Sequence, residues 1–385
     1  MINKLLGIRD RNLNFIIDDS GSMGWDSDVN LSEATPYTIK ARTPVANQKM
    51  KRWEEAEDRL HIMIDLLAYI PTKPIKISFL NSTEEITLSR ADLTPDQFKI
   101  EAHRRISEAF ATNRPTNGTP TYRALKKAFD NTAEPSMHYF FTDGVPSDRS
   151  PEEVAHLINT RANPNQNALT LISCTNQDSD TEWMKLVDGT GSFVAEVDDY
   201  SDEKEEVLKK QGPAFPYTRG LWILCQLAGS INPHDLDAMD ETLPFTKSTL
   251  DNILGRQLSG TEYQYYFERN PSASLYRNEY ERFLTEPRFS REIISKAEQA
   301  NRERAAGFTR EGYAPLNRPL PAVIAQQLEA ITLRHMPVAT QTAVASSGLG
   351  TLAAGIGFMS VSNSSNSNNS SSAQSNPTVF KMGGL

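Results

Sequence analysis

The sequence predicts an α/β protein: a doubly wound, mostly parallel sheet, followed by a small α-helical domain and a disordered tail. Three observations predict it. Short apolar runs recur through the first half of the chain, stretches of helical period separate them, and from Pro213 onward the strand runs stop. Buried strands alternating with helices are the pattern of a parallel sheet covered on both faces.

Residues 13–17, 75–80, 137–141, 169–174 and 192–197 are the strand runs. Between the first two, Trp53, Ala56, Leu60, Met63 and Leu67 recur at helical spacing. Phe98, Ala102, Ile106 and Phe110 do the same after Thr94-Pro95-Asp96-Gln97, which supplies an N-cap Thr, a first-turn Pro and a capping-box Gln. Ser150-Pro151-Glu152-Glu153 is a start signal of the same kind. Residues 11–212 form this domain, after an N-terminal extension of residues 1–10. In the α-helical domain, residues 213–336, helices are expected at 220–227, 247–258, 289–306 and 321–335, the third capped by Ser290 and ended by Gly307. Prolines 233, 244, 271, 287, 315, 319 and 321 break this region into short pieces. Residues 337–385 form a flexible tail: between Ser360 and Asn376, fourteen of seventeen residues are Ser or Asn, and such a stretch has nothing to bury.

Composition narrows the function. Of 385 residues, 40 are Lys or Arg and 49 are Asp or Glu, a formal charge of −9. A nucleic-acid binder would carry a basic face, so none is expected as a partner. Two cysteines, Cys174 and Cys225, cannot build a disulfide lattice or a four-thiolate zinc site; a single bridge is the alternative to free thiols in a reducing compartment, which are the simpler reading. No cleaved signal peptide is expected, and the charge-free stretch 336–361 is built mostly of small residues rather than the apolar run a membrane span requires, so membrane contact is not expected. A cytoplasmic location follows, the alternative being export through an uncleaved C-terminal signal.

The chemistry gathers where strands stop. Run 13–17 leads into Asp18-Asp19-Ser20-Gly21-Ser22-Met23, run 137–141 into Thr142-Asp143-Gly144, and a turn, Asn117-Gly118-Thr119-Pro120-Thr121, opens a helical stretch. In an open parallel sheet, ligands bind beyond the carboxyl ends of the strands. Asp18, Ser20, Ser22, Thr119 and Asp143 would thus deliver two carboxylates and three hydroxyls to one crevice. Hard oxygen donors without His or Cys suit Mg²⁺, with Mn²⁺ or Ca²⁺ as alternatives. Each piece alone is an ordinary turn or helix cap; the joint order at strand ends favours a metal site.

At these residues the chain resembles the von Willebrand factor type A (vWA) domain, a Rossmann-like fold, and its metal-ion-dependent adhesion site (MIDAS). Phe79-Leu80-Asn81 and the stretch Thr142-Asp143-Gly144-Val145-Pro146-Ser147-Asp148 look like its intracellular members. The resemblance implies that Ser20, Ser22 and Thr119 bind the cation directly and that Asp18 and Asp143 act through water. It implies a metal-dependent protein–protein interaction module, not an enzyme, whose partner offers an exposed Glu or Asp. One departure stands out: an insertion, residues 24–52, separates the Asp-x-Ser-x-Ser loop from the Trp53 helix and must emerge beside the metal. It could select partners, add a second cation site or cover the first. The alternatives are a Mg²⁺-dependent phosphoryl-transfer hydrolase with Asp18 as nucleophile, although Ser20 stands where those enzymes carry a second Asp, or a secreted bacterial effector whose helical domain carries the activity.

The remaining features read as structural. The acidic group Asp235, Asp237, Asp240 and Glu241 lacks EF-hand spacing. Tyr263, Tyr265, Tyr266, Phe267, Tyr276, Tyr280 and Phe283 are expected to pack in the core, and residues 203–210 to form a solvated helix face.

Overall fold

The computed structural model describes residues 2–40, 45–90, 92–130, 134–188, 190–231, 236, 238–239 and 243–287. A six-stranded sheet organises them, with spatial order β5-β4-β1-β6-β7-β8. Strand β1 is Asn12–Ile17, β4 Ile75–Phe79, β6 Ser136–Thr142, β7 Asn167–Ser173 and β8 Val194–Val197, these five parallel to one another. Edge strand β5, Glu85–Leu88, runs antiparallel to β4. The fold is therefore the mostly parallel α/β sheet that the alternating runs predict. The five strand runs are all found, the fifth two residues shorter at its start.

Side-chain alternation along the strands distributes the core over two faces. Leu13, Phe15, Ile17, Met137, Tyr139 and Phe141 share one apolar cluster with helix α2, Arg52–Leu67, and helix α3, Pro95–Thr112. Ile16, Phe140, Leu169 and Leu171 belong to the opposite cluster, with helices α4, Thr121–Asp130, α5, Pro151–Thr160, and α6, Asp178–Asp188. Every residue of β6 and β7 is buried, the mark of strands covered on both sides. Both expected capping boxes form, Thr94 with Gln97 and Ser150 with Glu153.

Helix α7, Tyr200–Gln211, ends at Gly212, whose φ of +86° and approach to the Arg269 carbonyl leave no room for a side chain. Helix α8, Arg219–Ala228, puts fully buried Trp222, Ile223 and Cys225 into the cluster that holds β1. The helix Lys247–Leu254 is shorter than its sequence pattern, because Gly255 adopts the left-handed conformation and stops it. Helices Gly260–Arg269 and Tyr280–Thr285 place Tyr263, Tyr266, Phe267 and Phe283 in the same core, as expected, while Tyr265 stays exposed. The helices expected at 289–306 and 321–335, with Ser290 and Gly307, and the tail lie outside the described residues, as do Asp235, Asp237, Asp240 and Glu241. Cys174 and Cys225 are buried, and neither is in a disulfide. Among the described residues no helix is long and apolar enough to cross a membrane.

His138 lies buried in β6, its Nδ1 accepting from Asn14 and its Nε2 directed at Asn167 Oδ1, 3.2 Å away. Burial pulls its pKa down from 6.5 to about 4. The unfolded chain therefore binds this proton at a higher pH than the folded one. Stability is complete above pH 6.5 and falls as the pH drops toward 4, a loss approaching about 3 kcal/mol. His138→Gln should flatten this dependence in urea unfolding at pH 7 and 4.5; an unchanged slope would assign the acid loss to other groups.

Candidate metal centre at the strand ends

Strands β1 and β6 lie side by side, with Ile17 opposite Phe141, so the loops that follow them emerge together. The two chains stay bonded for one more residue, Asp18 N–H donating to the Phe141 carbonyl at 2.9 Å. Asp18 is fully buried and both of its oxygens are engaged: Oδ1 accepts from Ser20 N–H at 2.8 Å and Oδ2 from Thr142 Oγ1 at 2.6 Å. Ser22 Oγ donates to Asp143 Oδ1 at 2.8 Å and lies 3.2 Å from Ser20 Oγ. Thr119 arrives from the third stretch. Its Oγ1 is 3.8 Å from the point where a Cβ on Gly144 would sit, and Ser22 Oγ is 4.0 Å from that same point. The structure thus brings Asp18, Ser20, Ser22, Thr119 and Asp143 into one crevice.

Neighbouring polar residues hold this convergence in place. Asp19 Oδ1 accepts from both Asn81 N–H and Asn81 Nδ2, each at 2.9 Å, and Asn81 Nδ2 also reaches the Gly118 carbonyl. The β1 and β4 loops are tied in this way to the Thr119 turn. Ser147 Oγ accepts from Thr119 N–H at 2.8 Å, and a side chain on Gly118 would strike that oxygen. Asp148 caps α4, accepting from Tyr122 N–H and Arg123 N–H at 3.1 and 2.9 Å. The Thr142–Asp148 stretch therefore does two jobs: it supplies Asp143 and it orients the turn that presents Thr119.

Electrostatically the crevice is short of positive charge. Burial raises the Asp18 pKa to about 7, with the nearby Asp143 carboxylate adding to the rise. Burial also raises that of Asp143, against the pull of Arg52 and Ser22. Two desolvated carboxylates within each other's field favour a bound cation. Among the described residues no three His, Cys, Asp or Glu side chains gather as a metal group. The donor set here is of another kind, two carboxylates with hydroxyls, and it fits a hard, oxygen-preferring divalent ion.

The insertion contributes what the sequence did not signal. Strands β2, Asp26–Asn30, and β3, Lys49–Lys51, pair antiparallel and lead directly into α2. The intervening helix α1, Pro36–Ile39, carries Tyr37, which stacks on His103 with ring centres 3.7 Å apart. Thr35 N–H donates to Asp58 Oδ1, and Arg219 bridges Asp58 Oδ2 and the Glu33 carbonyl. These contacts fasten the insertion to α2, α3 and α8. Arg52 follows β3; its guanidinium is 4 % exposed and donates to Asp143 Oδ2 at 2.8 Å. Nothing local marks Arg52 as a site residue, since its partner lies 91 positions away. The insertion thus delivers an organic cation to one of the two site carboxylates.

No protein-family model matches the chain, and no curated protein matches it. Among solved structures, the von Willebrand factor type A from Catenulispora acidiphila is similar at a TM-score of 0.33 and 15 % identity, over 50 % of this chain and 39 % of that one. A mutant of the PilB minor pilin from Streptococcus sanguinis is similar at a TM-score of 0.34 and 12 % identity, over 50 % of this chain and 57 % of that one. The chain therefore matches less than two thirds of the length of either structure.

Proposed function

We propose that this chain is a metal-dependent protein–protein interaction module of the vWA type. A divalent cation, Mg²⁺ first and Mn²⁺ or Ca²⁺ as alternatives, would be held by Ser20, Ser22 and Thr119, with Asp18 and Asp143 behind them as the resemblance implies. The observation that carries the reading is the meeting of the three stretches: Ser22 Oγ bonded to Asp143, 3.2 Å from Ser20 Oγ, and Thr119 at the neighbouring Gly144. When bound among neutral hydroxyls, the cation keeps much of its field for an incoming anionic ligand, a Glu or Asp of the partner. The protein's own residues shape that preference. Burial of Asp18 and Asp143 keeps their charge from being screened by solvent, and the Asn81 and Ser147 hydrogen bonds hold the loops in register.

Covalent chemistry through Asp18 has less support. A nucleophilic carboxylate needs an oxygen directed at substrate, and both Asp18 oxygens already accept hydrogen bonds from the protein.

Affinity capture with the full chain tests the binding reading. Partners recovered in Mg²⁺ should be lost in chelator and lost with Thr119→Ala. Retention of the same partners under both conditions would place recognition elsewhere.

A further inference from the structure

Arg52 is bonded to one carboxylate and shares a pocket with another. Asp143 Oδ2 accepts from Arg52 NH1 at 2.8 Å. Arg52 also lines a small surface pocket together with Asp26, Asp28, Glu55 and Asp199. Within it, Asp26 is paired with Lys51 and Glu55 with Arg59. Among the described residues Asp199 forms no salt bridge, although its charge reaches the Arg59 guanidinium. Asp199 is 8 % exposed, its Oδ1 caps α7 by accepting from Ser201 N–H at 2.8 Å, and its buried Oδ2 accepts no hydrogen bond. Burial and the adjacent Asp202 carboxylate raise its pKa. The Arg52 Nε is likewise buried without a hydrogen-bond partner. A guanidinium carries five donors in a planar fork and can serve either carboxylate, while its stem stays anchored where Arg52 N–H donates to the Trp25 carbonyl.

Resting on the functional reading above, we propose that Arg52 is a two-position latch on the cation site. Its guanidinium occupies Asp143 when no divalent cation is held and moves to Asp199 when one is. A guanidinium and a divalent cation compete for the same carboxylate field, so the ion binds only by displacing the arginine. Asp199 lowers the cost of that displacement by giving the displaced charge a buried partner. The insertion that positions Arg52 thereby sets the metal affinity of the site.

The test is calorimetric titration of the folded full chain with MgCl₂, comparing wild type, Arg52→Gln, Asp199→Asn and the double variant. Asn preserves the cap on α7. Arg52→Gln should tighten Mg²⁺ binding about tenfold, equivalent to about 1.4 kcal/mol. Asp199→Asn should weaken binding several-fold in the wild-type background and leave it unchanged once Arg52 is Gln. Equal affinities for wild type and Arg52→Gln would overturn the latch and leave the metal site standing. An Asp199→Asn effect of the same size in both backgrounds would reduce Asp199 to general electrostatics and also overturn it. If Arg52→Gln does not fold, an unchanged affinity in Asp199→Asn alone is sufficient to reject the proposal. Folded proteins that bind no Mg²⁺ in any variant would remove the functional reading itself, and the latch with it.

Discussion

Glu55→Ala is expected to destabilise the protein by about 3–5 kcal/mol, the cost of leaving a buried charge without its partner. Glu55 and Arg59 lie one helical turn apart on α2, and both side chains are almost wholly buried. Arg59 donates through Nε to Glu55 at 3.1 Å and through NH1 to the Ser173 carbonyl at 2.6 Å, and its guanidinium lies 4.3 Å from the centre of the Trp222 ring. One arginine thus ties α2 to the end of β7 and to α8. Without Glu55 its fully buried charge has no carboxylate bonded to it. Denaturant midpoints measure the loss, and a change below about 1 kcal/mol would show that water or another carboxylate compensates. Replacing both partners with apolar residues of similar volume should recover most of the stability, because no charge is then left buried.

Excess Mg²⁺ is expected to raise the melting temperature of the wild type, and Asp18→Ala combined with Ser20→Ala to remove that response. A ligand that binds only the folded state at a hundred times its dissociation constant stabilises by about 2.7 kcal/mol, or several degrees for a chain of this size. The double variant deletes a carboxylate and a hydroxyl from the crevice without touching the apolar clusters. It also frees Thr142 Oγ1 from Asp18. Its melting temperature in chelator will therefore differ from wild type, and the quantity to compare is the increment on adding metal. Equal increments in the two proteins would rule out this crevice as the place where the ion binds.

Much of the candidate site could be read in advance because its residues lie at chain positions with strong local rules. Asp18, Ser20 and Ser22 follow β1, Asp143 follows β6, and Thr119 opens α4. A strand that is apolar throughout and stops at a polar turn identifies its own carboxyl end. Residues that act by reaching across the fold carried no such signal. Asn81 was singled out only through the family likeness, and its bonds to Asp19 and Gly118 depend on how three loops fold back. Strand β5 was not foreseen, since Ile86 and Leu88 are too few apolar residues for a periodicity to be recognised. The antiparallel β2–β3 pair was equally unmarked: Asp26–Asn30 is polar throughout apart from Val29, and its packing comes from the small cluster around Leu31 and Met50.

The order of apolar runs and their breakers was enough, by itself, to determine the layered α/β architecture, both capping boxes and the three stretches that meet at the strand ends. Hydrophobic period and turn chemistry act over a few residues and leave their record in adjacent positions. Tertiary structure alone decided that Arg52 would sit on Asp143, that Asp199 would be buried without a salt bridge, and that Arg59 would join α2 to β7 and α8. Those outcomes are set by which surfaces come together once the chain is compact. The cost of desolvating a charge depends on the neighbours that close around it, and those neighbours are distant in sequence.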